Sequence, residues 1–222
     1  MAVTEIPVDV FADLTCPWCY IGHHRLGEAI AAEPDGAVVV RPRAFELDPT
    51  WPPEGLAIED AYPRRFATIE ALREELERST DEAARSGLEL RHERVTHIPN
   101  TRLAHRAVAL ATRRGHGRPA LMALFAGHFR DGRDIGDLDE VLALVADGAP
   151  GLDSGELRAA LTAGEGEREV AAEEGVAARM GLTSVPFFLA GRSVALGGVH
   201  DTASFTQLIA AARQRLAAEA SG

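Results

Sequence analysis

The chain has 222 residues and a formal net charge of −11 at pH 7, and its 23 lysine-plus-arginine residues are all arginine. Hydrophobic residues make up 46% and charged residues 26% of the sequence, an ordinary composition for a folded domain in water. Arginines scattered among 34 acidic residues argue against a phosphate-binding surface, and no apolar run reaches the roughly 18 residues of a membrane helix. We therefore expect neither nucleic acid nor a membrane as a partner.

The beginning of the chain has the pattern strand, helix, strand. Residues 8–13 favour a short strand, and apolar positions then recur at helical spacing over residues 17–32. Thr15 is expected to cap that helix, and Pro17 suits its first turn because an N–H there would be unpaired in any case. A β-branched run within residues 37–45 predicts the second strand.

A long, mostly helical stretch follows the proline-rich loop at residues 48–55. Helices are predicted over residues 64–86, 101–114, 118–130, 137–147, 154–162 and 167–180, with glycines between most of them. A hairpin over residues 185–189 and 193–196 precedes a final amphipathic helix at 202–218. We therefore expect an α/β domain formed by residues 1–60 and 181–222, into which residues 61–180 are inserted as a helical domain.

The only two cysteines of the chain lie in the stretch Cys16-Pro17-Trp18-Cys19, directly after the first predicted strand. A bridge between them closes too small a loop to restrict the unfolded chain much, so a structural role is a poor explanation. Beside a βαβ pattern, C-x-x-C is typical of a redox site. Unpaired N–H groups at a helix N-terminus favour negative charge, so Cys16 is expected to be the attacking thiolate and Cys19 the resolving thiol.

Two other interpretations of the cysteine pair stay open. A zinc site needs four ligands, so histidines such as His23, His24, His97 or His105 would have to complete it. Alternatively, both thiols are buried structural residues, as free cysteines often are. The spacing and the strand-to-helix position favour the redox interpretation, with no metal. His23 and His24 themselves are expected on the solvent-exposed face of the first helix.

The motif CPWCYIG, together with SVPFF near the other end, resembles the DsbA-like branch of the thioredoxin superfamily, and more closely its FrnE-type oxidoreductases. FELDPTWPPEG at residues 45–55, NTRLAHR at 100–106 and EEGVAARMGLTSVPFF at 173–188 extend the resemblance over essentially the whole chain. The resemblance implies a thioredoxin-like fold with an all-helical insertion. It also implies that Pro186 is a cis-proline facing the cysteines, and that Val185 before it pairs with an extended substrate.

One position departs from the resemblance, and one segment has two interpretations. Trp18 stands where strongly oxidising periplasmic DsbA proteins have a histidine, which argues against a strong oxidant. Either Asn100, Thr101 and Arg106 cap a helix and coat its surface, or Asn100, His105 and Arg106 line a groove over the cysteines, where arginine would hold a carboxylate. Trp51 and the PPEG loop are likewise either a groove wall or a packed connector.

The sequence thus predicts a protein disulfide oxidoreductase that exchanges its dithiol with a protein or small-molecule substrate through a mixed disulfide. Its cofactor is the redox pair itself, with glutathione as a candidate exchange partner. An N-terminus without a signal-peptide pattern predicts the cytoplasm, and a homodimer is compatible with the sequence. The alternatives are a glutathione-dependent isomerase of the 2-hydroxychromene-2-carboxylate isomerase type and a non-catalytic binding or chaperone-like protein.

Overall fold

A computed structural model of the protein describes residues 5–220, in which a mixed sheet is surrounded by helices. In chain order the elements are β1 (Ile6–Ala12), α1 (Pro17–Ala31), β2 (Val38–Ala44), β3 (Leu56–Ala57), α2 (Ile58–Arg65), α3 (Ile69–Arg85), a 3-10 turn (His92–Arg94), β4 (His97–Ile98), α4 (Arg102–Arg113), α5 (Gly117–Phe129), α6 (Leu138–Gly148), α7 (Ser154–Thr162), α8 (Glu167–Arg179), β5 (Phe187–Ala190), β6 (Val194–Gly197) and α9 (Thr202–Glu219).

The central strands of the main sheet come from opposite ends of the chain. The strand order is β2-β1-β5-β6. β1 pairs in parallel with β2, with Ile6 opposite Val38, and in antiparallel fashion with β5, with Phe11 opposite Phe187. β5 and β6 form the predicted hairpin. The α/β fold, with its βαβ start and ββα end, is therefore confirmed.

One face of the sheet is covered by α1 and α9. Because side chains alternate along a strand, Val8 and Val10 of β1 point to this face, where Phe205 and Ile209 of α9 meet them. All four side chains are fully buried. Burial of such a side chain contributes about 1.5–3 kcal/mol, so this apolar cluster fixes α1 on the sheet.

The helix that carries the cysteine motif begins differently from the prediction. Cys16, not Thr15, is the N-cap residue of α1, with extended φ and ψ of −97° and 110° and no side-chain cap. The backbone N–H and the hydroxyl of Thr15 both donate to Asp13 Oδ1, at 2.9 and 3.1 Å. Pro17 occupies the first turn as predicted. The buried Asp13 carboxylate therefore holds the turn that leads into the helix.

Residues 56–98, which we call the cover segment, differ most from the predicted arrangement. The single helix predicted over residues 64–86 is two helices, α2 and α3, because Phe66 is extended and Thr68 caps α3 by accepting from the N–H of Ala71 at 3.1 Å. Strands β3 and β4 pair as a short two-stranded sheet that the sequence pattern did not predict. The stretch between the two halves of the main sheet is therefore not purely helical.

The cover segment is attached to α1 by polar contacts. The Arg25 guanidinium donates to Glu82 Oε1 at 2.5 Å and to Ser86 Oγ at 2.8 Å, and the Trp18 indole N–H donates to Glu75. A second apolar cluster joins helices α4 to α7 to both cysteines and Ile21 of α1, and it includes Ala83 and Leu90 of the cover segment. None of the helices within residues 5–220 is long and apolar enough to cross a membrane.

Candidate active site

The two cysteines occupy the junction between the sheet and the helices, at the first turn of α1. Cys16 is 6% exposed and Cys19 is fully buried. The N–H of Cys19 donates to the carbonyl of Cys16 at 3.0 Å, which closes the turn between them. Both are free thiols in the structure. The motif thus presents one slightly accessible sulfur and one inaccessible sulfur behind it.

Burial separates the two thiols chemically. The pKa of Cys19 is raised well above 9.0, first by burial and then by the hydrogen bond and the charge interaction with Cys16. A backbone hydrogen bond with Asp13 acts in the opposite direction but does not prevail. Cys19 is therefore a protonated thiol at neutral pH.

Val185 and Pro186 face the cysteine motif across the fold. The Val185–Pro186 peptide bond is cis. Cys16 Sγ lies 3.9 Å from the carbonyl oxygen of Val185. Gly22 allows this approach, because a Cβ atom there would lie 2.9 Å from the ring of Phe188 and 3.3 Å from Pro186. The structure therefore brings together the first cysteine and the residue pair near the end of the chain.

Trp18, the second of the two residues between the cysteines, is held by α3. Its indole N–H donates to Glu75, and the guanidinium of Arg78 lies 5.1 Å from the centre of its ring. Arg78 also pairs with Glu75. The side chain within the redox motif is therefore anchored to the cover segment.

Cys16 lines a cavity of about 310 Å³ between α1 and the cover segment. Aromatic and aliphatic side chains dominate its wall, with a few polar groups among them. The lining residues are Thr15, Cys16, Pro17, Trp18, Leu47, Tyr62, Arg65, Phe66, Glu75, Leu76, Ser79, His92, Val95, Ile98, His128 and Phe129. A larger surface cleft of about 490 Å³ borders α4 and α7 but contains neither cysteine nor histidine. Of these two, only the cavity at Cys16 borders a cysteine.

The two histidines of the cavity are neutral at pH 7. Burial lowers the pKa of His128 to about 4 and lowers that of His92 as well. Nε2 of His92 forms a hydrogen bond with the hydroxyl of the buried Ser79 at 3.1 Å. Sequence reasoning did not predict these residues, because their segments meet Cys16 only through the tertiary fold.

Asn100, His105 and Arg106 do not line this cavity, which differs from the groove interpretation. The Asn100 amide donates to the carbonyl of Trp51 at 2.9 Å. His105 is buried, which lowers its pKa, and it has a backbone hydrogen bond with Phe45. Arg106 donates to the carbonyls of Glu165 and Leu161, at 2.9 and 2.5 Å, at the end of α7. All three connect elements of the fold.

The loop that contains Trp51 is packed against the cover segment. Trp51 is 5% exposed and lies in an apolar cluster with Ala61, Val95 and Ile98. The guanidinium of Arg65 stacks 5.0 Å from the centre of its ring. Trp51 therefore supports the wall of the cavity from behind and does not line it.

His23 is not on a solvated face, so this expectation was wrong. It is fully buried between the rings of Phe125 and Phe188, and burial lowers its pKa to about 3. Neither ring nitrogen has a hydrogen-bond partner in the structure. His24 is the partly exposed neighbour, 3.6 Å from Glu28. Within residues 5–220, no group of three or more His, Cys, Asp or Glu side chains is arranged to hold a metal ion.

A partly buried pair of glutamates, Glu46 and Glu174, was also not predicted from the sequence. Arg102 Nη1 donates to Glu46 Oε2 at 2.8 Å and to Glu174 Oε2 at 2.6 Å. Burial and the neighbouring Glu174 raise the pKa of Glu46 to about 7. The three residues are far apart in the chain, so no local spacing indicates that they meet.

The sequence matches the family described as the DSBA-like thioredoxin domain over residues 7–210, and the chain belongs to this family of thioredoxin-fold oxidoreductases. It is similar to the crystal structure of a probable DsbA oxidoreductase from Streptomyces coelicolor. The likeness covers 93% of this chain and 89% of that one, with 32% identity and a TM-score of 0.82.

Two more distant structures share the fold. A 2-hydroxychromene-2-carboxylate isomerase matches with 18% identity and a TM-score of 0.66, over 97% of this chain and 98% of its own. The cytosolic disulfide reductase DsbM from Pseudomonas aeruginosa, solved with glutathione, matches with 18% identity and a TM-score of 0.62, over 97% of this chain and all (100%) of its own. At these identities the likeness concerns the fold alone.

Proposed function

We propose that the protein is a thiol–disulfide oxidoreductase in which Cys16 is the nucleophile and Cys19 the resolving thiol. The main support is the asymmetry of the pair: Cys16 lines a cavity, whereas Cys19 is fully buried and its pKa is raised. A dithiol exchanger needs one sulfur that meets the substrate and a second that acts only after a mixed disulfide has formed.

The proposed reaction has two exchanges. The Cys16 thiolate attacks one sulfur of the substrate disulfide, so that a mixed disulfide forms and the first substrate thiolate leaves. Cys19 then loses its proton and attacks the Cys16 sulfur, which releases the second substrate thiolate and forms the Cys16–Cys19 disulfide. Two electrons pass from the pair to the substrate, and the reverse sequence oxidises a dithiol. Val185 and Pro186, beside Cys16, are the proposed docking edge for the substrate chain.

We further place the protein with the FrnE-type members of the family and in the cytoplasm, with no cofactor beyond the redox pair. Support for the subgroup comes from the CPWCYIG and FELDPTWPPEG segments. Glutathione is the proposed exchange partner, in keeping with the glutathione in the structure of DsbM. DsbM is likewise a cytosolic disulfide reductase.

A glutathione-dependent isomerase is the second candidate, and the apolar cavity beside Cys16 is the observation that favours it. Such an enzyme needs one cysteine at most, so it gives no reason for the second thiol. Cys19→Ser separates the two candidates. It leaves an isomerase active, whereas a dithiol exchanger stops as a stable mixed disulfide on Cys16.

The decisive experiment is a redox titration. The purified protein is equilibrated across glutathione buffers, its thiols are trapped by alkylation, and the species are counted by mass. We expect one two-electron transition between the dithiol and the Cys16–Cys19 disulfide, within the range of about −270 to −120 mV spanned by thioredoxin and DsbA. If only a glutathione adduct forms and no bridge, dithiol exchange is rejected.

A further inference from the structure

The position of Cys16 limits the substrates that reach it. Cys16 is 6% exposed and lines the cavity under α2, α3 and the 3-10 turn. Attack needs the sulfur of the substrate in line with the thiolate, at contact distance. The rigid surface of a folded protein cannot enter a cavity of about 310 Å³, whereas a small molecule can.

The size and wall of the cavity favour an apolar ring with a short chain. An apolar cavity of ~150 Å³ accepts benzene, so about 310 Å³ accommodates a ring and the chain that joins it to sulfur. Tyr62, Phe66 and Phe129 supply aromatic surface, and Leu76 and Val95 supply aliphatic surface. This is the composition of a ligand site that binds by apolar contact and is oriented by a few polar groups.

The charges on the wall favour an anionic end. Glu75 is neutralised by Arg78 and engaged by Trp18, and burial keeps both histidines of the wall uncharged. Arg65 lines the cavity and stacks on Trp51, and no carboxylate of residues 5–220 lies within 4.0 Å of its guanidinium. Asp48, whose pKa Arg65 helps to lower, is hydrogen-bonded to Thr50 instead.

We propose that the preferred substrates are small organic disulfides with a ring-sized apolar body and a carboxylate, the body in the cavity and the carboxylate at Arg65. This assignment rests on the dithiol function proposed above. The Cys16 thiolate bonds to the cavity-bound sulfur, and the other half of the disulfide leaves as a thiolate. Cys19 then displaces the bound half, so one disulfide is reduced to two thiols and the Cys16–Cys19 bond forms.

The test is a single-turnover comparison on the reduced full-length protein. The probes are bis(3-carboxyphenyl) disulfide, its neutral bis-carboxamide, bis(2-hydroxyethyl) disulfide, and a folded protein with a surface disulfide. Each rate is divided by the rate at which dithiothreitol reduces the same probe. This ratio corrects for differences in the intrinsic reactivity of the probes. We expect both aryl probes to exceed the hydroxyethyl probe by about tenfold or more, as burial of a ring implies. The protein substrate should be slowest.

Two variants, each with a matched control, test which residues cause the preference for carboxylate and for aryl probes. Arg65→Gln should abolish the preference for the carboxylate over the carboxamide, which we expect to be about threefold. Arg64→Gln, an exposed neighbour that does not line the cavity, should retain it. Phe66→Ala should reduce the aryl preference, whereas Ile69→Ala, 62% exposed and outside the cavity, should leave it unchanged.

The outcomes separate this assignment from the general function. If normalised rates are equal across the probes, or the folded protein reacts as fast as the aryl disulfides, the substrate class is wrong while dithiol exchange stands. The same holds if Arg65→Gln and Arg64→Gln behave alike. If no probe converts Cys16 and Cys19 into their disulfide, the proposed function itself fails.

Discussion

The two sides of the cavity at Cys16 are built on different principles. On one side, α1 rests on the sheet through fully buried apolar side chains such as Leu26 of α1 and Val10 of β1. On the other, the cover segment is attached to α1 by polar contacts, such as Arg25 with Glu82, as well as by the buried Ala83 and Leu90, and it carries an exposed Ile69. The thiols thus belong to the region held mainly by apolar packing, which we call the packed region, whereas the cover segment is held by polar as well as apolar contacts.

The largest expected effect is on chemistry in the packed region. Cys16→Ser should reduce exchange to background, because a serine hydroxyl is not ionised near pH 7 and cannot form a disulfide. Cys19→Ser should still react once and then accumulate a mixed disulfide, detectable by mass. Cys16→Ser, at the slightly accessible position, should unfold near the wild-type denaturant midpoint, whereas Cys19→Ser buries a hydroxyl in an apolar cluster and should unfold at a lower one. Residual turnover in Cys16→Ser would contradict the assignment of the nucleophile.

The next largest expected effect is on the free energy of unfolding when an apolar side chain is truncated. Phe188 of β5 is fully buried, with its ring centre 4.7 Å from that of Phe205. Phe188→Ala should lower the free energy of unfolding by about 3–5 kcal/mol, since the cavity left behind cannot close. Ile69→Ala in the cover segment should change it by less than about 0.5 kcal/mol. Similar values in denaturant titrations would contradict the difference in burial between Phe188 and Ile69.

The packed region should also be the more sensitive to acid. The folded state holds His23 with a pKa of about 3, whereas its ordinary value is 6.5. Between these values the unfolded chain binds a proton that the folded protein does not, so stability is full above pH 6.5 and falls as the pH falls. From pH 6.5 to pH 4 the loss from this residue is roughly 3 kcal/mol.

The test of that acid sensitivity is the slope of unfolding free energy against pH. His23→Leu should flatten it, whatever the variant does to stability at pH 7. His24→Gln, at the partly exposed neighbouring position, should keep the wild-type slope. His128 contributes a slope of the same sign in all three proteins, because burial lowers its pKa to about 4. Parallel curves for His23→Leu and the wild type would refute a neutral buried His23.

The smallest effect is expected where the two regions meet. Glu75→Ala removes the acceptor of the Trp18 indole N–H and should cost about 1 kcal/mol, the net contribution of a hydrogen bond. Tryptophan emission should shift as Trp18 loses this contact. Glu74→Ala, at an exposed position next in sequence, is the matched control. If both variants leave the emission and the exchange rate unchanged, the cover segment does not hold Trp18 in solution.

Local patterns in the sequence were sufficient to predict most of the elements. Helices α4 to α9 lie within two residues of their predicted ends, because glycines and acidic caps such as Asp137 and Asp153 mark them locally. The cysteine pair was placed correctly at the first strand-to-helix turn, because its spacing is itself local. The prediction of Thr15 as the cap failed: the hydroxyl and N–H of Thr15 donate to Asp13, and Cys16 occupies the N-cap position.

Most of the residues that line the cavity could not be predicted from local patterns in the sequence. Ser79, His92 and His128 meet Cys16 through packing of α3, the 3-10 turn and α5, and no spacing in the sequence connects them. The burial of His23 was missed for the same reason, since Phe125 and Phe188 are distant in the chain. The residues next to a histidine in a helix do not show whether its side chain will be covered by other parts of the protein.

The strand order of the main sheet has a consequence for biosynthesis. β1 is made near the start of the chain, yet one of its two partners, β5, is made near the end, where Phe187 pairs with Phe11. Such non-local pairing is slow, and N-terminal segments leave the ribosome first. During translation the cysteine motif therefore emerges well before Val185 and Pro186 exist to face it. The nascent chain carries both thiols without the finished pocket around them, and the order of synthesis makes the reactive centre one of the last parts to be completed.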